Sequence, residues 1–166
     1  MNTKPIRILG IDPGFGRLGY GIIEQKSGDW VALDYGCIET SPKNTFVERI
    51  LQIHNELKEI IAKYKPTRAG VEELFFYKNV TTAVQVGQAR GVVLLTLSQA
   101  KIPIDEFTPL EVKQAITGYG RAEKGQIQTM VAMILKLKNK KIQDDAADAL
   151  AVAITVAHMS KIGRLS

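Results

Sequence analysis

The sequence predicts a mixed α/β sheet flanked by helices, and two kinds of pattern support this fold class. Short alternating or β-branched segments punctuated by glycine occupy 7–12, 18–24 and 30–39, which is typical of an antiparallel meander. Farther along, apolar residues recur at three- and four-residue spacing, which indicates helices, and two more short strand patterns lie between them. We therefore expect five strands, an antiparallel meander followed by parallel strands.

The first helix is the clearest of the later elements. In "FVERILQIHNELKEIIAKYK" the apolar residues from Phe46 to Tyr64 share one helical face, and Pro66 closes the helix. The remaining predictions are a strand at 69–76, a helix at about 81–100, a short strand at 102–107, and helices at 109–117, 122–137 and 144–159. Because no repeat or linker interrupts this order, and 166 residues suit one core, we expect a single domain over 1–166.

Composition indicates a soluble cytoplasmic protein with a possible polyanionic partner. Apolar residues make up 45% of the chain, but no run approaches the roughly 18 residues that a membrane span needs. The N-terminal segment has no signal-peptide pattern, and Cys37 is the single cysteine, so a reducing compartment fits. The net charge of +5 is compatible with nucleic acid.

Gly14, Gly16 and Gly19 spell a G-x-G-x-x-G pattern after the first strand, which raises the question of a dinucleotide site. That motif requires a helix to start within it, so that its N-terminus meets the pyrophosphate. Here "RLGYGII" alternates as a strand does. The glycines are therefore better explained as turn and hairpin residues.

Asp12 stands where the apolar first strand runs out, directly before Pro13. By itself it fits an ordinary turn aspartate. Glu72 follows a similar apolar approach on the fourth predicted strand, and a last predicted helix begins with "DDAADAL". In that helix Asp148 lies side by side with Asp145, three residues before it, and by spacing also with Asp144; one of these first two acids can serve as the N-cap.

If these elements meet, three or four carboxylates converge at one point. Such a group repels itself unless divalent cations bind it, and oxygen ligands suit Mg²⁺ or Mn²⁺. Two such ions about 4 Å apart can activate a water and stabilise the leaving oxygen of a phosphodiester. The carboxylates thus suggest metal-dependent hydrolysis of nucleic acid.

Several ordered blocks closely resemble the RuvC family of Holliday-junction resolvases. They are "ILGIDPGFGRLGYGII", "VEELFFYKN", "VGQARGV", "TPLEVKQAITGYGRAEKGQIQTMV" and "DDAADALAVAIT", and the matches extend from about residue 7 to 160. The resemblance implies a ribonuclease-H-like fold and a Mg²⁺-dependent homodimer whose subunits each nick one of two symmetry-related strands of four-way junction DNA. It also implies the RuvA and RuvB branch-migration complex as partners.

The resemblance assigns catalytic and metal-binding roles residue by residue. The family's acidic tetrad matches Asp12, Glu72, Asp145 and Asp148. Asp144 matches no catalytic position, which favours an N-cap role. One departure is Val156, where relatives often have histidine; because this position is not in the tetrad, the departure bears only on the packing or fine tuning of the last helix.

Four further residues are expected to meet DNA. From the sequence alone Lys113 and Lys124 are ordinary solvated lysines, but they match lysines that the family places near the scissile phosphate. Phe75 matches a base-contacting aromatic of the family, and Lys78 follows it within "FFYKN". Aromatic residues beside such a site can stack on unpaired bases.

Two surface features and two alternative functions remain open. The lysine-rich run 136–141 is either a solvated loop or a contact to the DNA backbone. The apolar run 91–97 belongs to a helix that is either fully buried or shared with a second subunit. Actin-like and sugar-kinase ATPases begin with a similar strand and turn. They need two such domains, for which 166 residues leave no room. The alternatives that stay open are a non-catalytic junction-binding module and a ribonuclease-H-like nuclease acting on another branched nucleic acid.

Overall fold

The structure is a computed structural model that describes residues 5–74, 80–138 and 142–162, with side chains described as far as residue 159. Ten elements follow one another along the chain. They are β1 (Arg7–Asp12), β2 (Arg17–Lys26), β3 (Asp29–Glu39), α1 (Phe46–Tyr64), β4 (Arg68–Glu72), α2 (Val80–Gln99), β5 (Ile104–Phe107), α3 (Pro109–Thr117), α4 (Lys124–Ile134) and α5 (Asp144–Ile162).

The strands form one five-stranded sheet in the order β3-β2-β1-β4-β5. Strands β1, β2 and β3 pair antiparallel, whereas β4 pairs parallel to β1 and β5 parallel to β4. The predicted sheet, a meander followed by parallel strands, is confirmed. Parallel neighbours need a crossover, which α1 and α2 supply.

Three predicted elements were too long. The fifth strand begins at Ile104 rather than at 102. The fourth strand ends at Glu72 rather than at 76. One further hydrogen bond to β5 follows this end, from the Glu73 N–H to the Phe107 carbonyl at 2.7 Å. Helix α4 begins at Lys124 after an extended Glu123, and it ends at Ile134 because Lys136 adopts a left-handed φ of 53°.

The sheet separates two hydrophobic cores, and the alternation of β1 decides which side chains enter each. Leu9 and Ile11 face the core formed with α1 and α2, whereas Ile8 faces the core formed with α3, α4 and α5. Because side chains alternate along a strand, Asp12 lies on the same face as Ile8. The carboxylate that ends β1 is therefore directed to the α5 side of the sheet.

Helix α5 lies unusually close to the sheet, because glycines stand where it crosses the strands. A Cβ added to Gly10 would lie 2.0 Å from the Ala149 carbonyl oxygen, and one added to Gly19 would lie 2.0 Å from the Asp145 carbonyl oxygen. Farther along, Val156 is 1% exposed and packs against Gly70. The contact of helix and strand backbones brings the first turns of α5 to the end of β1.

Helix α2 is covered on one side only. Ala89, Val93 and Leu97 are fully buried, but Val84 and Leu95 are each 55% exposed. The alternative of a fully buried helix was therefore wrong. Among the described residues, α2 is the one helix with the length and composition of a membrane span, a property that the core helices of globular proteins also have.

Candidate active site

Asp12 and Glu72 end the two neighbouring central strands on the same face of the sheet. The parallel register pairs Gly10 with Gly70 and Ile11 with Val71, so the next residue of each strand carries its carboxylate to the same point. The two carboxyl groups are close enough to share a hydrogen bond. This pairing is what the alternation of two apolar strands, each ending in an acid, produces.

The electrostatics of this pair are strongly perturbed. Burial, followed by the charges of Glu72 and Asp148, raises the pKa of Asp12 to about 8. Burial also raises the pKa of Glu72, although the hydrogen bond with Asp12 acts in the opposite direction. Two carboxylates in such contact favour sharing a proton or binding a cation.

Helix α5 adds Asp148 to the pair, and we call Asp12, Glu72 and Asp148 the acidic site. Burial raises the pKa of Asp148, while the charge of Lys124 lowers it. The side chain of Asp148 is 32% exposed, so the site is open on one side. Three of the four predicted acids thus lie near one another, Asp12 and Glu72 within hydrogen-bond distance and Asp148 close enough for its charge to act on both.

Asp145, the fourth predicted acid, lies at the edge of the acidic site. Its charge contributes to the raised pKa of Asp12, but its Oδ2 atom lies 3.1 Å from Nε of Arg17. The same oxygen lies 4.0 Å from Sγ of Cys37. Cys37 is therefore a strand residue, as predicted, with a charged neighbour, and burial raises the pKa of its thiol to about 11.

The predicted N-cap role of Asp144 was wrong. Helix α5 begins at Asp144, and the preceding Gln143 takes the cap position because its carbonyl accepts the first helical hydrogen bond, from the Ala147 N–H at 3.0 Å. The Asp144 carboxylate instead lies 3.0 Å from Nζ of Lys124 and accepts a hydrogen bond from Gln128 at 2.7 Å. Its contacts therefore connect α5 with α4.

Lys113 and Lys124 face the acidic site from α3 and α4. Nζ of Lys124 lies 3.6 Å from Asp148; although burial lowers its pKa, the hydrogen bond to Asp144 and the charge of Asp148 give a net upward shift. Lys124 is the first residue of α4, where the helix dipole disfavours a cation, so the nearby carboxylates supply the compensating charge. The charge of Lys113 lowers the pKa of Glu72.

Both lysines line a cleft of about 190 Å³ beside the acidic site. Its walls also contain Glu72 and Asp148, with apolar contributions from Pro109, Val112, Ile127 and Ala151. Phe75 and Lys78, the other predicted DNA contacts, lie outside the described residues. In the lysine-rich run, Nζ of Lys136 contacts Asp29 at 2.5 Å, which connects that segment to the β2–β3 hairpin.

Two arginines near the carboxylates were missed by the sequence analysis. Arg90 of α2 donates to the backbone carbonyl of Glu72 at 3.3 Å and pairs with Glu106, so it holds the end of β4. No sequence pattern indicates this contact. Arg17 could have been found, because it shares a strand face with Gly19, which touches α5.

The chemistry of the acidic site fits a hard divalent cation. Its donors are carboxylate oxygens, which Mg²⁺ and Mn²⁺ prefer, and burial together with the charges of Glu72 and Asp148 raises the pKa of Asp12, so a bound cation would favour its ionised form. In the described part of the chain, no three His, Cys, Asp or Glu side chains already adopt ligand geometry. The fit therefore rests on donor chemistry and electrostatics.

Comparison with known proteins agrees with this site. The model of the family described as "Crossover junction endodeoxyribonuclease RuvC" matches residues 8–156. A protein of that name from Petrotoga mobilis is 55% identical over 146 residues, which cover 88% of this chain and 90% of that protein.

Solved structures show the same relationship. The Thermus thermophilus RuvC structure has a TM-score of 0.87 at 37% identity and covers 95% of this chain and 97% of its own. T. thermophilus RuvC in complex with Holliday junction substrate has a TM-score of 0.89 at 36% identity, covering 95% and 96%. The expected ribonuclease-H-like fold is confirmed, and the chain belongs to the RuvC family of crossover junction endodeoxyribonucleases.

Proposed function

We propose that this protein is a metal-dependent endonuclease that resolves four-way DNA junctions during recombination and repair. The observation that carries the proposal is the buried, mutually repelling acidic site, placed beside two lysines in an open cleft. Membership of a family of crossover junction endodeoxyribonucleases supports it, and a relative with a TM-score of 0.89 is solved with a Holliday junction substrate. A module that only binds junctions would not need this costly arrangement of charge.

Asp12, Glu72, Asp148 and Asp145 are the residues that would hold Mg²⁺, with Mn²⁺ able to replace it and two ions per site. When bound, such cations supply an activated water and stabilise the leaving oxygen of the phosphodiester. Lys113 and Lys124 neutralise charge on the phosphate that enters the cleft. Arg90 keeps the end of β4 in place, so the carboxylate of Glu72 stays aligned with that of Asp12.

We propose that the active form is a homodimer, since paired nicks require two sites. The exposed side of α2 carries Val84, Gly91 and Leu95, which lie along one helical stripe. A Cβ added to Gly91 meets no atom within 4 Å, so a second helix can approach closely there. The RuvA and RuvB branch-migration complex is proposed as the partner on family resemblance, and the cytoplasm as the compartment.

The test compares cleavage with binding on the same synthetic four-way junction. Asp12→Asn, Glu72→Gln and Asp148→Asn should each reduce Mg²⁺-dependent nicking by at least about a hundredfold, the scale of losing one catalytic group. Junction binding in a gel-shift titration should stay intact or tighten, because each change removes negative charge near phosphate.

Asp105→Asn is the matched control, because Asp105 is an acid of the same sheet that pairs with Arg68 away from the cleft. It should nick and bind like the unaltered protein. Normal nicking by Asp12→Asn would overturn the catalytic assignment. Equal cleavage of the junction and of a linear duplex would overturn the choice of substrate and favour another nuclease activity.

A further inference from the structure

The contacts of Asp145 differ from those of the other acids of the site. One of its oxygens lies 3.1 Å from Nε of Arg17 and 4.0 Å from Sγ of Cys37. Among the described residues, Arg17 is the cation within ion-pair distance of Asp145, and the charge of Lys124 interacts with Asp145 from farther away.

The fold holds the backbone of Arg17 firmly in this place. Arg17 is the first residue of β2, and Gly19 on the same strand face packs against the Asp145 backbone, where an added Cβ would lie 2.0 Å from the carbonyl oxygen. Before β2, the Phe15 carbonyl accepts a hydrogen bond from the buried Thr40 hydroxyl at 2.7 Å. The base of the Arg17 side chain is thus fixed next to α5.

The guanidinium of Arg17, unlike its backbone, can move away from Asp145 into solvent. The Arg17 side chain is 58% exposed, against 24% for Asp145, and an ion pair with one partner this exposed to water is weak. A divalent cation needs the lone pairs of the same carboxylate. The Arg17 guanidinium and a metal ion therefore compete for the Asp145 carboxylate. Because the ion pair between Arg17 and Asp145 is weak, the metal ion can displace Arg17.

We propose that Arg17 pairs with Asp145 as a resident counter-charge. A divalent cation must displace the Arg17 guanidinium from Asp145 to complete the site. This inference rests on the proposed metal-dependent function. Arg17 competes with the metal ion for Asp145 and so lowers the affinity of the metal position to which Asp145 belongs.

The test measures Mn²⁺ binding to the DNA-free protein by isothermal titration calorimetry. Arg17→Gln should bind Mn²⁺ about twofold to fivefold more tightly, the range that corresponds to losing a competing exposed ion pair. Arg17→Lys keeps a competing charge and should lie near the unaltered protein. The two variants together separate the charge of residue 17 from its shape.

Arg68→Gln is the matched control, since it removes an equal charge from an exposed arginine–aspartate pair of the same sheet. Its Mn²⁺ affinity should not change. Unchanged or weaker Mn²⁺ binding by Arg17→Gln, or an equal gain in Arg68→Gln, would overturn the role of Arg17 while leaving the proposed function intact. Absence of Mn²⁺ binding in the unaltered protein would overturn both.

Discussion

Two carboxylates on neighbouring strands of this sheet have opposite electrostatics because their partners differ. Asp12 has acids around it, and burial raises its pKa to about 8. Glu24 on β2 is also buried, with a side chain 8% exposed, but its oxygens lie 2.6 Å from Nε of Arg7 and 3.2 Å from Nζ of Lys26. The acids around Asp12 favour the binding of a cation, whereas Glu24 is already paired with two cationic side chains.

Glu24 should therefore stabilise the fold at neutral pH and cease to do so in acid. Chiefly through the Arg7 hydrogen bond, its pKa lies below the ordinary value of 4.5. Because the folded pKa is the lower one, this stabilisation is complete above pH 4.5 and is lost as the pH falls through the folded pKa. Glu24→Gln should lower the free energy of unfolding at pH 7 by about 1–3 kcal/mol.

Urea unfolding at pH 7 and pH 3, with EDTA present, checks this expectation. The difference between Glu24→Gln and the unaltered protein should shrink at pH 3. Glu59→Gln, a change at an exposed position of α1, should have little effect at either pH. A deficit of equal size at both pH values would show that shape, and not charge, makes Glu24 stabilising.

At the scale of elements, the placement of α5 on the strands decides whether a site exists. The glycines of β1 and β2 allow backbone contact with α5, and this contact brings Asp148 to the ends of β1 and β4. A side chain in between would move the helix outward. The acidic site would then lose one of its three members.

Gly10→Ala should show this dependence. Its new Cβ would meet the Ala149 carbonyl oxygen at 2.0 Å, so α5 must shift, at a cost of about 1–3 kcal/mol in unfolding free energy. Nicking should fall as well. Gly125→Ala, in α4 with nothing within 4 Å, should be neutral or more stable. Thermal unfolding measures both, and equal stability of the two variants would contradict the close packing of α5.

At the scale of the whole molecule, the exposed stripe of α2 is an apolar surface that the described residues of a single chain do not cover. Leu95, at the C-terminal end of this stripe, is 55% exposed. Because α2 also carries Arg90, which holds the carbonyl of Glu72, the proposed dimer surface and the acidic site share one helix. In the proposed dimer, one helix would thus connect the subunit contact with the acidic site.

Leu95→Glu should give a monomer, because a charge in an apolar contact between subunits is left without compensation. Light scattering after gel filtration should show about half the mass of the unaltered protein. Junction products should change from paired nicks to single ones. Met133→Glu alters a residue of α4 that is 65% exposed and should remain dimeric. A dimeric Leu95→Glu would move the interface elsewhere.

The sequence alone determined the sheet, its five strands and the strands that carry Asp12 and Glu72, although the end of the fourth strand at Glu72 came from the structure. These features follow from local rules, since alternation fixes the face of a side chain and helical crossovers impose parallel pairing. The family blocks likewise identified Asp148, Lys113 and Lys124 before any contact was known. Features that depend on neighbouring residues, or on blocks shared with a family, can be predicted in this way.

Only the tertiary structure decided the contacts made between elements distant in the chain. The pairing of Asp145 with Arg17 joins residues that are 128 positions apart, and the contact of Asp144 with Lys124 depends on where α5 begins relative to α4. Strand and helix periodicity cannot encode such distances, because they depend on how closely two backbones approach. Here that approach is set by glycines that let α5 rest on the sheet.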